Sequence, residues 1–349
     1  MSRPFLRNSW YVAAWADELT PGQPITRRLL DDPVVLWRDA QGQAHALLNR
    51  CPHRFALLSD GRVMEDGTLQ CPYHGLQFDG AGHCTLNPHG NGAIPKAAQV
   101  RSFPVVERHT AVWIWMGDPA RADASRIVDF SLFERTPEEG SCTIHGHFTV
   151  QAGYELEIDN LMDLSHPEFV HATSLGSSAH HSAQYEAGQE GDTRVYSNRW
   201  FSEGPCPPAL DAIFQSGGRP VEHWANMRWD APSLLLLEVG VTLTGRPRSE
   251  GMNDFAAHLL TPESATSTHY FYTHTRTHDV ASREMDEIIR GAVLHAFLQE
   301  DRPLLEKIQQ QMGDHDLWSM KPVMLGGDAG GVRARRLLEQ LIAAEQREV

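Results

Sequence analysis

Apolar residues come in short runs broken by turn residues over the first 120 positions, and in longer alternating or helix-spaced runs beyond them. Residues 33–39 (PVVLWRD) and 45–51 (HALLNRC) read as two strands joined by the turn Ala40-Gln41-Gly42-Gln43. Residues 75–84 (GLQFDGAGHC) add a Gly-rich turn, and residues 102–118 (SFPVVERHTAVWIWMGD) a further strand pair with Trp113 and Trp115 on one face. A small all-β domain is therefore expected over residues 1–120. The stretch 117–130 is polar and turn-rich, and a linker is assigned to residues 121–140. Residues 141–349 mix both periods. Strands are expected at 221–229 (VEHWANMRW), 233–245 (SLLLLEVGVTLTG) and 255–262 (FAAHLLTP), and helices at 155–166, 282–311 and 331–346. This predicts an α+β domain, an antiparallel sheet with helices packed on one side.

The 349 residues are 41% hydrophobic and 21% charged, so a sizeable core is available and disorder is not expected. A net charge of -15, from 30 basic and 45 acidic residues, argues against a nucleic-acid or anionic-membrane partner. The first 19 residues hold no apolar h-region, and no 18-residue apolar run occurs. Five cysteines at irregular spacing argue against a disulfide framework, so a soluble cytoplasmic protein is expected. The 19 histidines change the picture, because several stand at ligand-like spacings.

Cys51-Pro-His53 is followed by Cys71-Pro-Tyr-His74, each pair on a loop after an expected strand. Two thiolates and two imidazoles can hold zinc or an iron–sulfur cluster. A zinc finger would place its second pair on a helix, whereas here both pairs project from strands. CPHR and CPYHG together resemble the Rieske motif, in which two cysteines hold one iron and two histidines the other. Cys84, Cys142 and Cys206 have no partner at ligand spacing and read as buried free thiols; His83, His89, His180 and His181 read as turn or surface residues.

A second cluster lies in residues 160–171 (NLMDLSHPEFVH). Asp163 and His166 are three apart and would share a helix face. Pro167 disfavours helix at His166, and a break there would turn His171 back toward the same point. Two imidazoles and one carboxylate would complete a triad that leaves open positions for oxygen. Asp301 is the candidate third ligand: it falls on an apolar stripe through Met285, Ile289, Val293, Phe297, Leu304 and Ile308, where an ionised carboxylate is costly unless paired or metal-bound. The alternative is that Asp301 caps a second helix starting at Pro303.

NLMDLSHPEFVH and LQED, in that order behind the two CPH-type loops, resemble the Rieske (ring-hydroxylating) oxygenase family over nearly the whole chain. NSWYVAAW, SFPVVER, LLTPES and DAGGVRARR are similar to its vanillate O-demethylase, dicamba monooxygenase and toluenesulfonate methyl-monooxygenase branch. The resemblance implies a helix-grip-like catalytic domain behind a Rieske domain, with Cys51, His53, Cys71 and His74 on a 2Fe-2S cluster. It implies that His166, His171 and Asp301 bind a mononuclear Fe(II), that Asn160 lies near the iron, and that Asp163 bridges His166 to a cluster histidine of a neighbouring subunit in a head-to-tail homotrimer. An NADH-dependent flavin and iron–sulfur reductase would supply electrons, directly or through a ferredoxin. With O2 the enzyme would demethylate a methoxylated aromatic acid, giving a phenol and formaldehyde. His258 faces inward on its alternating strand and is a candidate substrate residue, with Trp224, Asn226 and residues 269–274 (HYFYTH) as possible companions in the same cavity. Methyl or ring hydroxylation and cis-dihydroxylation stay open as alternatives. So does a non-catalytic Rieske electron carrier, though a carrier would leave the second cluster unexplained.

Overall fold

The computed structural model describes residues 5–348. They form two compact units, one of Phe5–Asp129 with Thr261–Ser264, the other of Phe130–Leu260 with Ala265 onward.

The first unit is all-β. Trp10–Trp15, Ala111–Trp115 and Val105–Arg108 make one three-stranded sheet, and Ile25–Leu29, Asp32–Arg38 and Ala44–Leu48 another. The turn between the last two is held by Asp39, whose Oδ1 accepts from the Gln41 and Gln43 N–H groups. Four very short strands, Arg62–Val63, Leu69–Gln70, Gln77–Phe78 and Cys84–Leu86, form a third sheet. A core of Val35, Trp37, Leu47, Leu58, Leu69, Phe78 and Val100 lies against Cys51 and Cys71 and fixes the roots of both cysteine loops.

The second unit is built on a seven-stranded antiparallel sheet ordered Cys142–Val150, Ser267–Arg276, Met252–Ser264, Leu234–Leu243, Val221–Asp230, Arg194–Gly204 and Gln184–Glu190. Register assigns its two faces: Trp229, Leu235 and His258 lie opposite one another and share one face, while Asn226, Glu238 and Phe255 share the other. Among the described residues, six α-helices accompany the sheet: α1 (Tyr154–Met162), α2 (Pro167–Val170), α3 (Pro208–Phe214), α4 (Arg283–His295), α5 (Arg302–Met312) and α6 (Ala329–Arg347). Among the described residues no helix is long and apolar enough to cross a membrane.

Two expected helices are reshaped. The first stops at Met162, and Asp163 is extended (φ -88°, ψ 102°), so Asp163 and His166 do not share a helix face. The break falls before Asp163 rather than at His166, which is itself helical (φ -59°, ψ -27°) and leads into α2. The second continues from α4 into α5 through a π-helical stretch, Ala296–Asp301. Pro303 has no N–H to give the carbonyl four residues back, and the wider turn accommodates that loss. The extra residue rotates everything after it. The buried face therefore runs Ile289, Ala296, Asp301, Leu305, Gln309 and Met312, while Leu304 (42% exposed) and Ile308 (36%) point outward, against the straight stripe expected.

Arg335 of α6 ties this frame together. It is buried, donates to both oxygens of Asp159 at 2.7–2.8 Å and reaches Glu155 at 2.5 Å, clamping α1 to α6. Gly330 lets the start of α6 come close, since a Cβ there would stand 2.9 Å from Cβ of Ser197. Replacing Arg335 with Leu leaves two carboxylates without their cation, and should destabilise the protein by about 3 kcal/mol. Denaturant unfolding followed by circular dichroism measures this; a loss within about 0.5 kcal/mol of zero would show that the clamp is an incidental contact.

Candidate metal centres

The two cysteine loops have the same internal wiring. The Cys51 N–H donates to Ala56 O and the Phe55 N–H to Cys51 O, both at 2.9 Å; the Cys71 N–H donates to Leu76 O (2.8 Å) and the Gly75 N–H to Cys71 O (3.1 Å). Each loop turns through a left-handed residue, Gly75 (φ 72°) in one and Phe55 (φ 62°) in the other, where a side chain carries strain. Both sulfurs are buried, while His53 is exposed and the His53 and His74 rings meet at the loop tips with centroids 4.5 Å apart. Burial, with Cys71 beside it, pushes the Cys51 thiol up to about 11. A bound metal would compensate the buried Cys51 thiolate, which burial otherwise disfavours. Lost hydration and the neighbouring His53 and His89 lower His74, which favours the neutral, ligating imidazole.

In the second unit, one ligand atom from each of His166, His171 and Asp301 lies within 4.8 Å of the others. His171 Nε2 is 3.2 Å from Asp301 Oδ2, and His166 Nε2 is 3.7 Å from Asp301 Oδ1. The Nδ1 atoms are engaged elsewhere. His166 Nδ1 donates to the main-chain carbonyl of Asp163 (2.6 Å) and His171 Nδ1 to Glu300 Oε2 (2.8 Å), so both Nε2 lone pairs face the same point. Asp301 is only 3% exposed, and Asn160 Nδ2 donates to its Oδ1 at 3.2 Å. Burial lowers the pKa of His166. Burial also opposes charge on His171, but Asp301 and Glu300 outweigh it and raise its pKa. The helix-cap alternative for Asp301 fails, because the helix runs through it and its side chain makes no capping hydrogen bond.

The Asp163 carboxylate does not reach His166. Its Oδ1 accepts from the Ser165 N–H and Oγ, at 2.8 and 2.5 Å, and only its main-chain carbonyl engages the imidazole. Glu300 is not singled out by the sequence pattern, although it directly precedes Asp301 in LQED; a carboxylate one residue from a candidate ligand is the signal that could have found it. Ser174 Oγ donates to the same Glu300 Oε2 at 3.0 Å and holds it against His171.

His258 is buried, stands between Tyr270 and Phe297, and pairs its Nδ1 with the Tyr270 hydroxyl at 2.9 Å. With the phenol donating, the imidazole proton resides on Nε2, which has no protein partner. Burial pushes its pKa down to about 3, so the ring is neutral. Asn226 corrects the expected lining: it sits on the opposite face of the sheet, donating to Glu238 Oε2 at 3.1 Å. Trp224 shares that outer face, with its indole on Asn253. A one-residue difference in strand phase separates the two faces. His180 and His181, expected as turn or surface residues, both lie in the helical turn Ser178–Ser182, where His180 is buried at 4% exposure and His181 is exposed.

Two outcomes follow from this geometry. Glu300→Gln should weaken metal retention at the His166–His171–Asp301 cluster by about 10- to 100-fold while leaving the visible absorbance of a cluster on the cysteine loops unchanged; metal titration with absorbance as the control decides it. His180 and His223 are held near 4 and His258 near 3, all neutral in the folded state. The unfolded chain protonates them below about 6.5, so their contribution to stability is complete above that pH and lost as pH falls toward 4. Melting temperatures across that range should fall, with a shallower slope in His223→Phe; an unchanged slope in the variant would remove His223 from the effect.

Residues 9–104 match the model of the Rieske [2Fe-2S] domain, and residues 150–344 that of the vanillate O-demethylase oxygenase C-terminal domain. The oxygenase component of dicamba O-demethylase from Stenotrophomonas maltophilia is 40% identical, over 97% of this chain and 98% of its own length. The oxygenase component of chloroacetanilide N-alkylformylase from Rhizorhabdus wittichii is 41% identical, over 98% and 97%. A crystal structure of dicamba monooxygenase bound to 3,6-dichlorosalicylic acid superposes with a TM-score of 0.93 at 38% identity, covering 99% of both chains. Another, at 37% identity and a TM-score of 0.86, contains non-haem iron and dicamba. Buried thiols with paired imidazoles suit the cluster, and two proton-committed imidazoles with a buried carboxylate suit the single iron. The chain belongs to the Rieske non-haem iron oxygenases, in the vanillate O-demethylase branch, and is a monooxygenase component that carries a Rieske 2Fe-2S cluster and a mononuclear iron.

Proposed function

We propose that the protein is the terminal oxygenase of an O-demethylase system acting on a methoxylated aromatic acid related to vanillate. The observation that carries this reading is the His166–His171–Asp301 cluster in the same unit as a neutral His258 whose buried Nε2–H has no protein partner. Relatives named for O-demethylation of dicamba and vanillate support the reaction type. His166, His171 and Asp301 would hold the iron, and Cys51, His53, Cys71 and His74 the cluster. Bound, these groups would supply oxygen activation and electrons respectively.

The protein's own residues position and exclude. Asp301 supplies the anionic ligand, and Asn160 restrains its carboxylate by donating to Oδ1. His258 donates to an oxygen of the substrate, with its tautomer held by Tyr270. Phe297, Phe148 and Tyr270 pack as a ring cluster next to it and keep water from the reacting methyl. In balance, the aryl methyl ether, O2, two electrons and two protons give a hemiacetal and water, and the hemiacetal collapses to a phenol and formaldehyde. A reductase with flavin and an iron–sulfur centre, drawing on NADH in the cytoplasm, would deliver the electrons.

Electron entry is read as passing between copies in a head-to-tail homotrimer, where Asp163 beside His166 meets a partner's cluster. Exposed apolar side chains support this: Phe55, Leu57 and Tyr73 on and beside the cysteine loops, and Phe169 and Leu175 on the segment carrying His166 and His171. Vanillate and other methoxybenzoates, supplied with NADH and a reductase of this class, should release one formaldehyde per NADH consumed, and Asp301→Ala should abolish release while keeping the cluster absorbance. A cis-diol product, or NADH oxidation without formaldehyde from every methoxybenzoate, would defeat the demethylase reading.

A further inference from the structure

Away from the metal ligands, the catalytic unit buries two histidines that the reaction above leaves unused. His180 sits in the short helical turn Ser178–Ser182, and His223 on the strand Val221–Asp230. They are 4% and 6% exposed, and their rings stand 5.4 Å apart, each also packed on Phe201 at 5.6 and 5.3 Å. His223 lies on the same face of the sheet as His258, because both are in phase with Trp229. Between them on that face, Ala225, Leu237 and Val239 are only partly buried although they belong to interior strands, so this part of the face is left partly uncovered. The chain reaches His180 directly from His171, turning at Gly176, where a Cβ would stand 2.5 Å from Pro167 O.

The proton on each ring can be assigned. His180 Nδ1 accepts the Ser177 N–H at 3.3 Å, so the neutral ring carries its proton on Nε2. His223 Nδ1 meets the carbonyl of Gly240 at 2.9 Å, and since a carbonyl only accepts, that ring carries its proton on Nδ1 and bares a lone pair at Nε2. Among the described residues neither Nε2 has a protein partner. Burial keeps both rings neutral, and Arg199 beside His180 adds to this.

We propose that His180 and His223 form a substrate-binding site for a neutral hydroxyl group, the phenolic hydroxyl of an aromatic substrate or of its demethylated product. One hydroxyl oxygen accepts from His180 Nε2–H and donates to His223 Nε2. Two nitrogens bridged by one oxygen stand about 4.5–5.5 Å apart, and rings whose centroids are 5.4 Å apart can present their Nε2 atoms at such a separation. A carboxylate fits less well: it has no proton for the Nε2 lone pair of His223, and the nearby Arg199 is already engaged on the main-chain carbonyl of His180 at 2.7 Å. Phe201 and the apolar side chains of that face would cover the aromatic ring. The site therefore reads the end of the substrate that is not the acid, and it is distinct from His258. This rests on the aromatic-substrate reading but not on demethylation being the reaction.

The test uses the holoenzyme and three probes, 2-methoxyphenol, methoxybenzene and 2-methoxybenzoate, with calorimetric affinities and ¹⁵N spectra of histidine-labelled protein. The expected results are a preference for 2-methoxyphenol over methoxybenzene of about tenfold, loss of that ratio in His180→Phe and in His223→Phe, and opposite tautomers for the two rings in the wild type. Equal affinity for phenol and ether, tighter binding of the benzoate that depends on His180 and His223, or one shared tautomer would each overturn the proposal. The spectra keep the test decisive if either variant fails to fold. Should the phenol preference hold while no probe releases formaldehyde, the demethylase reading falls and this site stands. Formaldehyde release without the preference removes the site and leaves demethylation standing.

Discussion

The catalytic unit is organised around one costly arrangement: the carboxylate of Asp301 buried against two imidazoles whose other ring protons are already committed. An ionised carboxylate at 3% exposure is unstable in a protein interior unless positive charge answers it. Burial lowers His166, and although Asp301 and Glu300 raise His171, one imidazolium would then face two carboxylates. A divalent iron resolves the imbalance, and the donor directions leave few other solutions.

Much of the surrounding structure serves to hold those three groups in place. The π-helical stretch rotates Asp301 onto the inward face and moves Leu304 and Ile308 outward. The early end of α1 frees Asp163 to offer its carbonyl to His166. Arg335 then locks α1, and with it Asn160, onto α6. Each feature departs from regular helix or from apolar packing, and each lies within reach of the metal cluster. Local irregularity concentrated at a functional site is the pattern expected when geometry there is demanded at the expense of stability.

The cysteine loops solve a similar problem by different means. Their sulfurs are rooted in a packed core, and the rigid turns through Gly75 and Phe55 carry the imidazoles out to the tips. Here the donors come from contiguous residues, so the short motifs reveal the site before any tertiary structure is considered. The buried histidines outside the metal cluster are the opposite case. His258, Tyr270, His180 and His223 come from separate strands and a turn, and no short stretch of chain shows them together.

The sequence alone identified the all-β and α+β division, the two clusters of ligand-type residues and, through resemblance, the family. Those features are written in local spacing: loops that repeat a Cys–His pair, and runs whose period separates strand from helix. It could not show that Asn226 and His258 occupy opposite faces, because that depends on how three strands register against one another. It could not show that Glu300, rather than the Asp163 carboxylate, orients a ligand histidine, because that contact joins residues 129 positions apart. Nor could it show that the stripe through Asp301 shifts by one residue, since a π turn follows from Pro303 and from packing together. Covalent order sets which groups lie within a turn or a loop of each other; only the packed fold decides which of them meet, and which nitrogen of each histidine is left without a partner.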